Sequence, residues 1–211
     1  MYKLFQCVVF IAALAISCLC FAQTNAPQVS LQTNVGEIVI ELNPEAAPVS
    51  VENFIAYVNE RFYDGIVFHR VIKDFMIQAG GHRFDMTPKP PSRPAIVNES
   101  NNGLKNLKYS VAMARTRIPD SATSQFFINH KTNAFLDGQE GRPGYAVFGK
   151  VVEGMDVVDN IATTKTKNLE RYGNVPIETI SIIKARVLKP KPVKPVIKDS
   201  VKTAQQNTPK K

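Results

Sequence analysis

Two strand-like stretches, well separated in the sequence, carry the side chains best suited to chemistry in this chain. Arg70, Met76 and Gln78 occupy even positions of the first stretch, and Gln125 and Phe127 occupy odd positions of the second. Because side chains along a strand alternate between two faces, each stretch could turn donors and apolar groups toward one shared surface. That surface holds an arginine and amides but no nucleophile and no general base. It therefore favours binding and hydrogen-bond donation over proton transfer or covalent attack.

Other catalytic chemistries find little support in the sequence. The histidines, His69, His82 and His130, lie far apart and lack the close spacing of a metal motif. No serine stands in a nucleophile-elbow pattern. All three cysteines fall within the first 22 residues, so the rest of the chain can form neither a disulfide nor a thiolate metal site. We expect no cofactor and no metal.

Residues 1–22 have the pattern of an export signal. Lys3 follows the amino terminus, an almost uncharged apolar run covers 4–21, and small residues stand near Ala22. This pattern predicts a secretory signal that is cleaved after Ala22. A retained membrane anchor is an alternative, because about 18 apolar residues approach the length of a bilayer span. Lipid attachment through Cys18 is another. We expect a periplasmic location, with secretion as the alternative.

The positive charge is concentrated at the carboxyl end. The chain has a net charge of +8, yet the stretch 189–211 alone holds seven lysines against Asp199. The middle of the chain is therefore nearly neutral and lacks the basic face that nucleic-acid binding requires. We expect no nucleic-acid partner. The Lys- and Pro-rich tail at 189–211 is expected to be extended and disordered, either solvated or in contact with an anionic envelope component or acidic partner.

The remaining pattern predicts a single mainly β domain at 29–188, after a short linker at 23–28. Apolar residues recur at helical spacing over 48–59 and again near 154–161. Strand-like runs separated by Gly, Pro, Asn and Asp are expected at 29–33, 36–42, 66–72, 75–79, 95–98, 109–114, 125–129, 145–152 and 177–187. Many short strands with two helices favour a closed antiparallel eight-stranded β-barrel capped by two α-helices.

Several short motifs resemble those of one enzyme family. They are FHRVI at 68–72, FMIQAGG at 75–81, SQFFI at 124–128, FLD at 135–137 and VFGKV at 147–151. In this order they resemble the signature of cyclophilin-type peptidyl-prolyl cis-trans isomerases. The resemblance runs from about residue 29 to 187 and is greatest to exported bacterial members. It implies a cyclophilin-like barrel, a monomer, and proline-containing polypeptides as partners.

The resemblance also implies roles for individual residues. Arg70 would be the catalytic group, with Gln78 helping to hold it and the substrate. By the same match, Gln125 would contact the peptide, and Ala114 and Arg115 would offer it backbone groups. The proline pocket would be lined by Phe75, Met76, Phe127 and Leu136.

Two positions depart from the pattern that is commonest in eukaryotic members. Phe135 stands where tryptophan is usual, and Tyr145 stands where histidine is usual. Both would border the pocket. Phenylalanine lacks the indole N–H donor, so tight cyclosporin binding is put in doubt, but an apolar face remains for a substrate.

The implied reaction suits a site without nucleophile or base. Rotation about an X-Pro bond crosses a barrier of about 18–20 kcal/mol that is set by amide resonance. In the twisted amide the prolyl nitrogen regains a lone pair, and an arginine such as Arg70 can donate a hydrogen bond to it. An alternative function is a chaperone or adaptor that grips proline segments with little turnover, which would need the apolar wall but not this donor.

Overall fold

The computed structural model describes residues 26–189 of the 211-residue chain. The predicted signal, its alternatives as anchor or lipid attachment site, and all of the predicted tail except Lys189 lie outside these residues. Within the described range, no helix combines the length and apolar character needed to cross a membrane.

Eleven strands, two α-helices and one short 3-10 helix make up the described part of the chain. The strands are β1 (Gln28–Thr33), β2 (Gly36–Leu42), β3 (Ile66–Val67), β4 (Arg70–Ile72), β5 (Met76–Ala79), β6 (Ser110–Met113), β7 (Phe126–Asn129), β8 (Val147–Glu153), β9 (Thr166–Leu169), β10 (Tyr172–Pro176) and β11 (Ser181–Val187). The helices are α1 (Pro48–Asn59), the 3-10 helix Ala134–Leu136 and α2 (Met155–Ala162).

Nine of these strands form one antiparallel, strongly curled sheet in the order β3-β11-β1-β2-β8-β6-β7-β5-β4. The mainly β class with two helices is thus confirmed. The expected closed barrel of eight strands is wrong in two respects: the sheet has nine strands, and its hydrogen-bonded ladder is open, ending at β3 and β4. These two edge strands follow each other in the chain, and only Phe68 and His69 connect them. The chain itself therefore links the two edges.

Helix α1 begins and ends at the predicted residues and packs against the sheet. Pro48 occupies the first turn, where a missing N–H costs nothing. The side chain of Glu99 accepts from the amides of Val49 and Ser50 at 3.0 and 2.8 Å, so a carboxylate from a distant loop caps the helix. Phe54, fully buried on the inner face, packs with its ring centroid 5.1–5.3 Å from those of Tyr63, Phe126 and Phe148.

Two predicted strand assignments differ from the structure, and one pair of strands was not predicted. The run at 66–72 is divided into β3 and β4, because the chain there changes partner from β11 to β5. The run at 95–98 is reduced to one bridge, between Ile96 and Ala122. A separate two-stranded ribbon of β9 and β10 was not predicted, since its polar sequence shows no alternation.

Candidate active site

Strand register brings the first candidate residues together on one face. Arg70 of β4 lies opposite Gln78 of β5, and Gln78 lies opposite Phe127 of β7. Two residues along β5, on the same face, Met76 lies opposite Asn129. The predicted parity is therefore confirmed for Arg70, Gln78 and Phe127, because directly paired residues of antiparallel strands share a face.

A pocket of about 320 Å³ opens above this face. It is lined by nine of the eleven predicted site residues: Arg70, Phe75, Met76, Gln78, Ala114, Arg115, Phe127, Leu136 and Tyr145. The other two, Gln125 and Phe135, adjoin the pocket without lining it. The volume is modest and suits a group of the size of a proline ring with its flanking backbone.

The guanidinium of Arg70 is the available donor in this pocket. The side chain is half-buried, and it has neither a hydrogen-bond nor an ion-pair partner among residues 26–189. A guanidinium carries five N–H donors and stays charged throughout the physiological range. Arg70 can therefore donate to a ligand without first breaking an interaction within the protein.

The opposite side of the pocket is an apolar wall. Met76, Phe127 and Leu136 are buried and form one small cluster with Ala112 and Val147. This cluster is separate from the main core, which lies on the other face of the sheet. A wall of this kind binds an apolar ring and excludes water from it.

The two glutamines form a pair at the edge of the pocket. Gln78 Nε2 donates to Gln125 Oε1 at 2.9 Å, so Gln125 reaches the site through its partner. The backbone before Gln125 passes so close to the end of β5 that only glycine fits at residue 80. At Gly80 φ is +96°, and a Cβ there would lie 2.5 Å from the carbonyl oxygen of Ser124.

Arg115 is engaged very differently from Arg70. Its Nε and two terminal nitrogens donate to the carbonyl oxygens of Gly144, Pro143 and Thr116 at 2.7–3.0 Å. Its side chain thus fastens the loop before Tyr145. The amide of Ala114 already donates to the carbonyl of Gln125 at 3.0 Å, so a backbone contact from Ala114 to a peptide would use its carbonyl.

The two unusual residues occupy different places. Tyr145 is half-buried in the lining, where its ring packs edge-on against Phe127 and under the guanidinium of Arg115. Phe135, by contrast, is 63% exposed and stacks on Phe75 with ring centroids 5.7 Å apart. Because Phe135 lies in the short 3-10 helix, it extends the apolar rim instead of the pocket interior.

A buried asparagine network behind the wall was not predicted. Asn129 bonds Asn106, Asn133 and Ser110 at 2.7–3.2 Å, and Asn133 Nδ2 also donates to the carbonyl of Phe75 at 2.9 Å. The backbone N–H and the side-chain Nδ2 of Asn106 both donate to Oδ1 of Asp137, the residue that follows Leu136. The network therefore holds Phe75 and the 3-10 helix in place. A polar residue at a buried strand position, as at Asn129, is the signal that could have revealed it.

A second buried polar cluster lies behind Arg70. The rings of His69 and His82 are 4.2 Å apart, and Tyr172 packs edge-on against His82. In both histidines Nδ1 is buried and lacks a hydrogen-bond partner among the described residues. Burial, and next the neighbouring His82, lower the pKa of His69 to about 3. Burial and the charge of Arg171 lower the pKa of His82.

No metal site accompanies these residues. Within residues 26–189, no group of three or more His, Cys, Asp or Glu side chains is placed to hold a metal ion. The pocket thus combines one free cationic donor, the amide of Gln78 with Gln125 behind it, and an apolar wall. Such an arrangement can bind an apolar ring and donate a hydrogen bond to a nitrogen beside it.

Comparison with known proteins agrees with this chemistry. The family model described as cyclophilin type peptidyl-prolyl cis-trans isomerase/CLD matches residues 28–187. Peptidyl-prolyl cis-trans isomerase A of Dickeya dadantii is 48% identical over 187 residues, which cover 89% of this chain and 98% of that protein. Peptidyl-prolyl cis-trans isomerase cyp18 of Streptomyces antibioticus is 53% identical over 163 residues, or 76% of this chain and 98% of that protein.

A solved structure shares the fold. The cyclophilin type isomerase of Cryptosporidium parvum, crystallised in the presence of the dipeptide Ala-Pro, matches with a TM-score of 0.64 at 24% identity, covering 77% of this chain and 99% of its own. On the family match and the curated relatives, the chain belongs to the cyclophilin-type peptidyl-prolyl cis-trans isomerases and is an enzyme of that activity.

Proposed function

We propose that Arg70 catalyses rotation about X-Pro bonds by donating a hydrogen bond to the prolyl nitrogen of the twisted amide. The observation that carries this proposal is the guanidinium of Arg70, which lines the pocket without a partner among residues 26–189. In the planar ground state the nitrogen lone pair belongs to the amide resonance and accepts no such bond. The interaction therefore stabilises the transition state selectively.

The apolar wall would hold the proline ring while the bond turns. Met76, Phe127 and Leu136 contact the ring, and Phe75 with Phe135 extends the apolar surface at the rim. Gln78 is placed to orient either Arg70 or the substrate amide. Removing water favours the less polar, twisted amide over the planar one. Covalent intermediates and metal ions have no part in this mechanism.

Substitution of Arg70 tests this mechanism. A charge-assisted hydrogen bond contributes roughly 1.5–3 kcal/mol, and about 1.4 kcal/mol corresponds to tenfold in rate. Arg70→Ala should therefore lower kcat/KM by about ten- to a hundredfold, measured by NMR exchange on a short Ala-Pro peptide. Arg117→Ala, at an exposed arginine outside the lining, is the matched control and should leave the rate unchanged.

The same experiment distinguishes catalysis from simple binding. The peptide should still bind Arg70→Ala, because the wall is intact, and the chemical shifts of the wall residues report that binding. A wild-type protein that bound the peptide without accelerating exchange would instead indicate a proline-binding chaperone or adaptor. Equal exchange rates for wild type and Arg70→Ala would show that Arg70 is not the catalytic donor.

For the cellular role we propose an exported, periplasmic enzyme that assists the folding of proline-containing polypeptides. The leader pattern at 1–22 and the absence of cysteine from residue 23 onward support this location. The mass of the protein purified from its own cells tests the proposal. Cleavage after Ala22 supports it, whereas an intact leader indicates an anchor and a lipid adduct indicates attachment at Cys18.

A further inference from the structure

An apolar groove far larger than the catalytic pocket lies where the chain enters the described domain. Its volume is about 690 Å³, and its apolar lining includes Pro27, Leu42, Pro44, Leu104 and Leu107. Leu107 is 54% exposed although its neighbours in the groove form a concave surface. A large exposed apolar patch on a protein surface often marks an interaction site.

The groove continues across Pro27 onto helix α1. A second cavity of about 450 Å³ shares Pro27 and Pro44 with the first and reaches Val51 and Ile55 on the helix. We call the two cavities together the Pro27 groove. Its extent, over two adjoining apolar cavities, suits an extended segment better than a compact ligand.

The free charges at the rim of the Pro27 groove are negative. Its lysines are already paired: Lys150 with Glu41 at 3.1 Å, Lys108 with Asp159 at 3.3 Å and Lys105 with Asp137 at 3.9 Å. The carboxylates of Glu45 and Glu52, by contrast, are exposed and have no hydrogen-bond or ion-pair partner among residues 26–189. An occupant with lysines beside apolar residues would complement this rim.

The carboxyl-terminal segment of this same chain begins beside the groove. The amide of Leu188 donates to the carbonyl of Gln28 at 2.8 Å, and Gln28 directly follows Pro27. The sequence from 189 to 198 is Lys-Pro-Lys-Pro-Val-Lys-Pro-Val-Ile-Lys, which alternates lysines with prolines and β-branched residues. Each proline fixes one backbone dihedral, so an extended bound form costs less entropy than it would for other sequences.

We propose that the segment 190–197 binds the Pro27 groove of its own domain. Its valines, isoleucine and prolines cover the apolar lining, and its lysines face Glu45 and Glu52. Leu104 and Val147, which line the groove, also pack with the apolar wall of the active site. The docked segment therefore lies directly behind the catalytic pocket.

A spin label in the tail tests this proposal on the full-length mature chain. The chain from Gln23 onward has no cysteine, so Ser200→Cys gives a single attachment site just beyond the segment. Amide signals of residues 104–108 and 52–59 should lose intensity, whereas those of the β9–β10 turn should not. The double variant Glu45→Lys/Glu52→Lys and 1 M salt, where the Debye length is about 3 Å, should each restore the signals.

A matched charge reversal completes the experiment. Glu178→Lys changes an exposed carboxylate near the opposite end of β11 and should leave the signal loss intact. Even loss over the whole surface, or equal loss in the Glu45→Lys/Glu52→Lys variant, would overturn the proposal. So would loss seen only when spin-labelled and isotope-labelled chains are mixed, which means a second copy, or seen only on anionic vesicles.

Discussion

Two buried polar clusters flank the active site, and they are satisfied to very different degrees. Behind the apolar wall, Asn106, Asn129 and Asn133 exchange hydrogen bonds with one another and with the backbone of Phe75. Behind Arg70, the rings of His69 and His82 lie against each other, and neither Nδ1 has a hydrogen-bond partner among residues 26–189. The first cluster stabilises one arrangement of the wall at every pH. The second is stable only while both rings are neutral.

The largest effect should come from breaking the satisfied cluster. Asn129→Ala removes three buried hydrogen bonds, to Asn106, Asn133 and Ser110, and leaves Oδ1 of Asn106 without its donor. At about 1 kcal/mol for each lost bond, with a further penalty for the unsatisfied oxygen, we expect the free energy of unfolding to fall by about 3 kcal/mol or more. Urea denaturation measures this change.

An exposed asparagine provides the control for that substitution. Asn59, at the end of α1, is exposed, and Asn59→Ala should change the free energy of unfolding by less than about 0.5 kcal/mol. If Asn129→Ala were equally mild, the asparagine network would not contribute to stability and the contrast with the histidines would be lost.

Acid should destabilise the protein through the histidine pair. The folded-state pKa of His69, about 3, and the lowered pKa of His82 lie below the unfolded value of about 6.5. The unfolded chain therefore binds more protons below pH 6.5, and stability falls as the pH falls, by up to about 1.4 kcal/mol per pH unit for each histidine. Urea denaturation between pH 7.5 and 5 should show this decline. A flat profile above pH 5, where most carboxyl groups stay ionised, would contradict it.

A milder perturbation of the asparagine cluster should appear in binding. Asn133→Ala removes the bonds of its side chain to Asn129 and to the carbonyl of Phe75, and the loss of the Phe75 bond costs about 1 kcal/mol of positioning energy. We expect KM for an Ala-Pro peptide to rise by about fivefold while kcat changes little, because Arg70 is untouched. A fall in kcat with unchanged KM would place the effect on the chemistry instead of the wall.

The smallest effect should be a change in how steeply the free energy of unfolding falls with pH. His82→Phe keeps an aromatic ring beside His69 and Tyr172 but removes one titrating group. Stability at pH 7.5 should change little, and the decline toward pH 5 should become shallower, because one group with a lowered pKa is gone. Comparison of the two pH profiles by urea denaturation measures this. An unchanged slope would mean that His82 does not contribute to acid sensitivity.

Much of the site was predictable because it depends on local periodicity. Alternation placed Arg70, Gln78 and Phe127 on one face, and the register of β4, β5 and β7 bears this out. Helix α1 was predicted to the residue, since a proline at its first turn and helical spacing of apolar residues agree. The motif resemblance then assigned the remaining lining residues to the same site.

What the sequence could not predict depends on long-range contacts. His69 and His82 meet because the amide of Val67 donates to the carbonyl of His82 at 3.0 Å, a pairing with no local signature. The exposure of Phe135 follows from a single turn of 3-10 helix, which is too short for periodicity to show. The strands β9 and β10 are short and their apolar residues do not alternate with polar ones, so no periodicity revealed the ribbon.

The pairing of the first strand with the last has a consequence for the order of folding. Val29 of β1 pairs with Val187 of β11, and β3 also depends on β11 for its partner. A chain that emerges amino terminus first can form the β1–β2 hairpin early, but it cannot complete the sheet until nearly all of the domain is available. Contacts this distant in sequence make folding slow and leave strand edges exposed meanwhile. The enzyme should therefore remain incompletely folded throughout most of its synthesis.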